Sequence, residues 1–411
     1  MNVFIHTNGC AARQLDSSRL VKYFTLNECK IVTEPQAADY IIFVTCSGAK
    51  FLEEDCWKYI NEFKRYSGEL IILGCLPSIA LNFNQEFKGR YLATKNLSEI
   101  DKFFERFKVR FSDIPDSSFF YHGHFAFGFK HSILREFKQE IRNLFKNFAF
   151  SKYFFKKHLL FIKNIISQII HELVFRKIVW FRIGGGCQGS CSYCAVSRAI
   201  GRLTSKPIEV CVDEYRRLLD KGFRKFVILG DDTGAYGLDI KSSFAELLEN
   251  LSIASGKRRV YWHLEHMHPL WICRYKTTIA RMVKEKKIRR ISACIQSGSN
   301  RILKLMNRRH TIEEITDVLL QLKECNPNLK LRTEVIVGFP SETEEDFSAT
   351  LEALKKIRFN YIFSFPYDDG YETLASKMDN KVSQGIIKQR LKIMKDFEKR
   401  ENLLADFLYD W

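Results

Sequence analysis

Three cysteines, Cys187, Cys191 and Cys194, stand at spacing C-x₃-C-x₂-C in the stretch Gly184-Gly185-Gly186-Cys187-Gln188-Gly189-Ser190-Cys191-Ser192-Tyr193-Cys194. They follow the apolar run 178–183. Thiols this close cannot converge from one regular element. They need a loop, and glycine lets a loop fold tightly around a ligand. Converging thiolates suit a soft metal centre, either an iron–sulfur cluster or zinc. Zinc usually takes a fourth protein ligand from a second cysteine or histidine pair, and none lies nearby in sequence. Three thiolates on a four-iron cluster leave one iron open to a small molecule.

A second set is spread over the first eighty residues. Strand-like runs at 3–7, 40–45 and 70–74 each lead into a cysteine, Cys10, Cys46 and Cys75, and helical patterns follow the first two. Alternating strands and helices predict a doubly wound parallel sheet. Ligands in such sheets sit beyond the carboxyl ends of the strands, where these three cysteines fall. A single buried cysteine is usually core, whereas three at one topological position point to a shared ligand. Cys29 and Cys56 lie inside helical patterns and read as structural.

The C-x₃-C-x₂-C loop after a strand, opening a βα series, resembles the radical S-adenosylmethionine (SAM) superfamily. With Cys10, Cys46 and Cys75 ahead of it, the chain resembles the methylthiotransferase family. The matching segments are Thr7-Asn8-Gly9-Cys10, Asp16-Ser17-Ser18-Arg19, Val44-Thr45-Cys46-Ser47 and Leu73-Gly74-Cys75. The resemblance implies two 4Fe–4S clusters as cofactors together with SAM. Cys187, Cys191 and Cys194 would hold the cluster that cleaves SAM to a 5′-deoxyadenosyl radical. Cys10, Cys46 and Cys75 would hold an auxiliary cluster that carries or supplies sulfur.

Beyond Cys194, strand-like runs at 225–229, 260–263, 290–295, 331–337 and 361–365 alternate with helical patterns. With the strand before Cys187 they make six βα units, which predict a partial, open (βα)₆ barrel with its chemistry at the strand C-termini. Three segments at those ends resemble family motifs: 230–237, 296–306 and 336–342, which include Gly230-Asp231-Asp232-Thr233, Gln296-Ser297-Gly298-Ser299 and Gly338-Phe339-Pro340. Gly230, Asp232, Gln296, Ser297 and Glu334 are candidate SAM contacts. His263, Glu265, His266 and His268 look like a metal set, yet strand alternation would split them between two faces. Glu265 reads better as a substrate contact at the barrel mouth.

Three departures from the family pattern stand out. Ala11-Ala12-Arg13 replaces a common Gln-x-Asn after the first cysteine. Ile200-Gly201, flanked by Arg198 and Arg202, replaces an Arg-Gly pair. Asp368-Asp369-Gly370-Tyr371-Glu372-Thr373-Leu374-Ala375 replaces an R-x-G-T-P-A-like turn.

The expected organisation is an N-terminal α/β domain at 1–111, a basic helical insert at 112–176, the radical SAM barrel at 177–380 and a helix at 381–411. The small TRAM β-barrel usual in the family has no room here. Within 129–177 there are eleven basic residues against three acidic ones, and apolar residues recur at helical steps from Phe155 to Leu173. That insert reads as a helical hairpin on the barrel, as an RNA-backbone contact, or as a membrane-surface element.

Lys and Arg number 65 against 48 Asp and Glu, a net charge of +17, which suits a polyanionic partner. The abundance of Lys, Ile and Phe is also what compositional bias produces. No signal peptide or membrane span is legible, so a cytoplasmic location is expected. Twelve cysteines then point to metal or redox chemistry rather than disulfides. The family resemblance implies conversion of an unactivated C–H bond to C–S–CH₃, first of all in a modified adenosine of tRNA. A ribosomal-protein aspartate or a small peptide is the alternative substrate. A non-catalytic iron–sulfur or electron-transfer protein is the alternative of a different class. A flavodoxin- or ferredoxin-like reductant is the expected electron donor.

Overall fold

β-branched and aromatic runs flanked by helical patterns build two parallel sheets in succession. In the computed structural model, residues 1–117 and 178–401 are described. The first sheet holds β1 (Asn2–Thr7), β2 (Lys30–Ile31), β3 (Tyr40–Thr45), β4 (Glu69–Gly74) and β5 (Tyr91–Ala93), in the order β2-β1-β3-β4-β5. All its ladders are parallel. Helix α1 (Ala11–Leu26) packs Leu20, Tyr23 and Phe24 against one face. Helix α2 (Lys50–Phe63) packs Cys56, Ile60 and Phe63 against the other. Both faces are covered, so β3 and β4 read as continuous apolar runs. Phe111 and Ile114 belong to this core, which therefore reaches slightly past the expected boundary at 111. The short strands β2 and β5 escape sequence reading because two or three residues carry no periodicity.

The second sheet begins with β6 (Ile178–Arg182). A two-residue antiparallel pair, β7 (Gly184–Gly185) and β8 (Thr204–Ser205), brackets the cysteine loop. There follow β9 (Lys225–Leu229), β10 (Tyr261–Met267), β11 (Ile288–Ala293), β12 (Lys330–Val337) and β13 (Tyr361–Pro366). Their order is β13-β12-β11-β10-β9-β6, all parallel, with β6 and β13 as unjoined edges. This is the six-stranded open barrel expected from the sequence. Phe181, Phe226, Trp262, Ile291 and Leu331 form the core between strands and outer helices.

The N-terminal domain closes part of the open barrel. Ala12 and Leu15 of α1 pack against Ile178 and Trp180 of β6 and Val227 and Leu229 of β9. Asp16 accepts from Arg182 Nη1 at 2.7 Å, which adds a buried ion pair to that contact.

The helix Gln384–Arg400 packs Met394 and Phe397 into the barrel core. Arg390 Nη1 lies 2.8 Å from Glu342 Oε2, fixing that helix to the loop after β12. The remainder of the expected C-terminal helix, 402–411, and the insert from 118 to 177 lie outside the described residues. Among the described residues no helix is long and apolar enough to cross a membrane.

Glu342 gives a pH signature. Burial outweighs the attraction of Arg390 and raises its carboxyl from 4.5 to about 7. A carboxyl raised on folding stabilises the fold below its unfolded value, and that contribution is lost as pH rises through about 7. Between pH 5 and pH 8, wild type is therefore expected to lose about 2 kcal/mol of stability that Glu342→Gln keeps. Denaturant titrations of both chains at the two pH values check this.

Candidate cluster sites at the barrel mouth

The loop after β6 is held open by its glycines. Gly186 has φ of +73°, and a Cβ there would fall 1.9 Å from the Arg202 carbonyl oxygen. A Cβ at Gly189 would lie 3.1 Å from Cys187 Sγ and 4.0 Å from Cys191 Sγ, so this glycine leaves the space between the thiols clear. The Gly189 amide donates to Cys187 Sγ at 3.0 Å. The Cys194 thiol is raised by burial, while the amides at Ser197 and Val196 favour its thiolate. Cys187 is likewise raised, by burial and then by Asp232, whose Oδ2 lies 3.5 Å from Cys187 Sγ. Trp271 Nε1 donates to the other oxygen of Asp232 at 3.0 Å.

Cys10, Cys46 and Cys75 meet at the ends of β1, β3 and β4. Their thiols lie close enough to shift one another, Cys10 with Cys46 and Cys46 with Cys75. The nearness of Cys46, ahead of opposing burial, pushes Cys10 down to about 5, with Arg13 assisting. Cys75 is lowered in the same way and Cys46 is raised. Three cysteines gathered from three strand ends, with the Arg13 guanidinium beside Cys10 and Cys75, fit an iron–sulfur centre. Among the described residues no three His, Cys, Asp or Glu side chains could hold a metal ion between them.

The two sets share the strand ends of the barrel. Cys75 packs against Ala195 and Val196, the residues that follow Cys194, and His266 bonds through Nδ1 to the Gly230 carbonyl at 3.2 Å. Gly230 is two residues from Asp232 and hence beside Cys187. His266 has φ of +49°, and the register between β10 and β11 shifts there. The strand is not extended at this point, so simple alternation of residues 263 to 268 fails. Glu265, expected at the barrel mouth, has its carboxylate engaged within the sheet. It is buried in ion pairs with Arg290 at 2.9 Å and Arg332 at 3.2 Å.

The candidate SAM contacts divide. Gln296 is buried with φ of +69°, and its Oε1 has no hydrogen-bond partner. Glu334 pairs with Arg332 at 3.0 Å and keeps partial exposure. Ser297 is fully buried, with its hydroxyl engaged by Thr350 Oγ1 at 3.4 Å and the Ser299 amide at 3.2 Å, which holds the loop. Gly230 uses its amide on Thr233 Oγ1 at 2.9 Å.

Sequence reading missed Arg308. It is buried, donates to Tyr193 OH at 3.0 Å and to the Cys294 carbonyl, and sits 3.8 Å from Cys191 Sγ. A basic residue two positions after Met306 in a matched motif was its one signal. Arg308→Lys keeps the charge but loses the planar fork. Losing hydrogen bonds to a charged group, about 1.5–3 kcal/mol, is expected to slow 5′-deoxyadenosine release about 10- to 100-fold with iron retained. Product chromatography beside an iron assay checks this.

The departures from the family pattern make the domain junction. Buried Arg13 reaches Asp16 at 3.1 Å, Thr94 Oγ1, and Asp231 at 4.0 Å. Arg198 Nη2 donates to the Tyr371 carbonyl at 2.6 Å, so two of the departures touch each other. Tyr371 packs with Cys75, Ile79, Ala195 and Ala199 between the two cysteine sets.

Residues 181–354 match the model of the radical SAM superfamily, and residues 2–88 match that of an uncharacterized protein family, UPF0004. A tRNA-2-methylthio-N(6)-dimethylallyladenosine synthase of Clostridium botulinum is 31% identical over 391 residues, 94% of this chain and 79% of the relative. The chain belongs to the radical SAM methylthiotransferase family. A threonylcarbamoyladenosine tRNA methylthiotransferase of Aquifex aeolicus is 28% identical over 406 residues, covering 98% of this chain and 88% of its own. The solved radical SAM methyltransferase TsrM of Kitasatospora setae shares the fold, with TM-score 0.55, 12% identity, and coverage of 88% of this chain and 72% of that one. The cobalamin-dependent radical enzyme OxsB gives TM-score 0.51 at 14% identity, covering 99% and 58%. As a radical SAM methylthiotransferase, the chain is an enzyme that transfers sulfur-containing groups, with SAM and a 4Fe–4S cluster as its cofactors.

Proposed function

We propose that this methylthiotransferase acts on tRNA, converting a C–H bond of a modified adenosine to C–S–CH₃ with the help of a second, auxiliary cluster on Cys10, Cys46 and Cys75. The observation that carries the reading is the nearness of the two cysteine sets: Cys75 packs against Ala195 and Val196, the two residues that follow Cys194. The relatives are tRNA-modifying enzymes by name, and a net charge of +17 suits a polyanionic substrate. Bound at the two triads, the clusters together with SAM supply hydrogen abstraction and the sulfur and methyl groups.

The protein supplies position and dryness. The Gly189 amide and Arg308 hold the thiols of the SAM-cleaving site. Gln296 Oε1, buried and unpartnered, is the acceptor we assign to an N–H of SAM, because a buried polar atom needs a partner. Asp232 and Glu334 complete the polar rim, with Gly230 and Ser297 shaping the loops behind them. Packing of α1 on β6 and β9 shuts water out of one side of the open barrel. The electron donor in this reading is a small flavodoxin- or ferredoxin-like protein.

Mass spectrometry of tRNA nucleosides from cells with and without the gene tests the proposal. Loss of a methylthio-adenosine on deletion is the expected result. An unchanged nucleoside profile overturns it and moves the substrate to protein or peptide.

A further inference from the structure

The end of the barrel opposite the cysteine loops carries its own basic face. In a parallel sheet every helix-to-strand turn lies at the strand N-termini, and three neighbouring turns here, before β9, β10 and β11, are rich in Lys and Arg. Favourable placement of cations at helix C-termini explains those in the last helical turn, such as Lys284. It does not explain Lys257, Arg259, Lys286 and Arg289, which lie past the helix ends. The acids in this region are already used. Asp220 pairs with Arg258 at 3.0 Å, and Glu285 with Arg281 at 3.0 Å and Lys287 at 2.7 Å. Among the described residues, no carboxylate pairs with Lys257, Arg259, Lys286 or Arg289.

A second observation gives this charge a shape. Tyr261, the first residue of β10, has the Arg259 guanidinium 5.5 Å and the Arg289 guanidinium 4.2 Å from its ring centroid. Two guanidiniums held on one ring lose rotamer freedom and set two cations side by side at these turns. The basic segment 129–177 joins the barrel at Ile178, at this same end.

We propose that this face, centred on Arg259, Tyr261 and Arg289 with Lys257 and Lys286 beside them, docks the phosphodiester backbone of the RNA substrate. The inference rests on the tRNA reading above and adds a contact remote from the chemistry. Six residues of β10 separate Tyr261 from the mouth, about 20 Å. A folded RNA is long enough to touch both, and contacts to phosphate position a substrate without reading its sequence.

The test compares wild type with the triple variant Lys257→Gln, Arg259→Gln, Arg289→Gln, both carrying their clusters, in tRNA titrations across salt concentration. Removing one cation from a phosphate is expected to reduce the slope of log affinity against log salt by about 0.7–0.9. The slope should therefore fall by about 2, and affinity near physiological salt by at least about 10-fold. Iron content and RNA-independent 5′-deoxyadenosine release should not change, which excludes misfolding. Tyr261→Leu, which keeps every charge, should weaken binding without the full change in slope.

An unchanged slope and affinity in the triple variant overturn the inference. So does loss of binding to vesicles containing anionic lipid with RNA binding intact, which would make the face a membrane contact. If wild type binds no tRNA at any salt, the substrate reading fails first. If wild type binds and modifies tRNA while the variant matches it, only this docking face fails.

Discussion

Changing Cys187, Cys191 or Cys194 to alanine is expected to abolish release of 5′-deoxyadenosine from SAM and to remove about half of the bound iron. The loop has no spare ligand. Cys294, near enough to present its carbonyl to Arg308, is buried with its thiol raised well above the ordinary value, and its backbone is held within the sheet. Gly189 and Gly186 shape the loop around three sulfurs and leave no side chain to substitute for a missing one. Iron and sulfide analysis with product chromatography checks the result. Retained deoxyadenosine release in any of the three variants would show that this loop is not the site of SAM cleavage.

Changing Cys10, Cys46 or Cys75 to alanine should separate the two halves of the reaction. About half of the iron should again be lost. Here, however, deoxyadenosine release should persist while the methylthio product disappears. The separation follows from the architecture. The first sheet and the barrel have separate cores, so removing a thiol from the first does not unpack the second. Their junction runs through Arg13, Asp16, Arg182 and Tyr371, and of the three thiols it is Cys75 that packs into it, so Cys10 and Cys46 give the cleaner variants. Mass spectrometry of reacted tRNA, with deoxyadenosine measured in the same samples, reads both halves at once. Loss of deoxyadenosine as well would mean that the N-terminal set is needed for radical generation, and the proposed division of labour would fall.

Much of this was legible because chain topology does the work. A cysteine directly after each of three strands must lie at one edge of a parallel sheet, whatever its neighbours are. The C-x₃-C-x₂-C spacing must form a loop. Six strand-and-helix units must place their strand ends together. Long-range packing was not legible. Arg13 registered only as a departure from a pattern, yet in the fold it is a buried bridge between two domains. Glu265 suggested a ligand contact by its place in the strand, but its charge is spent on two arginines from neighbouring strands. Ser297 sits in a matched motif, but its hydroxyl serves Thr350 across a helix contact.

By itself, then, the sequence determined the two cysteine sets and the two parallel sheets, since local spacing and periodicity are sufficient for each, while the family was read from the resemblance of its motifs. Only the tertiary structure decided that α1 closes the barrel, that Cys75 packs beside the other cysteine loop, and that basic turns far apart in the chain form one face. Those are contacts between residues tens to hundreds of positions apart, set by side-chain shape and buried charge rather than by any period in the chain.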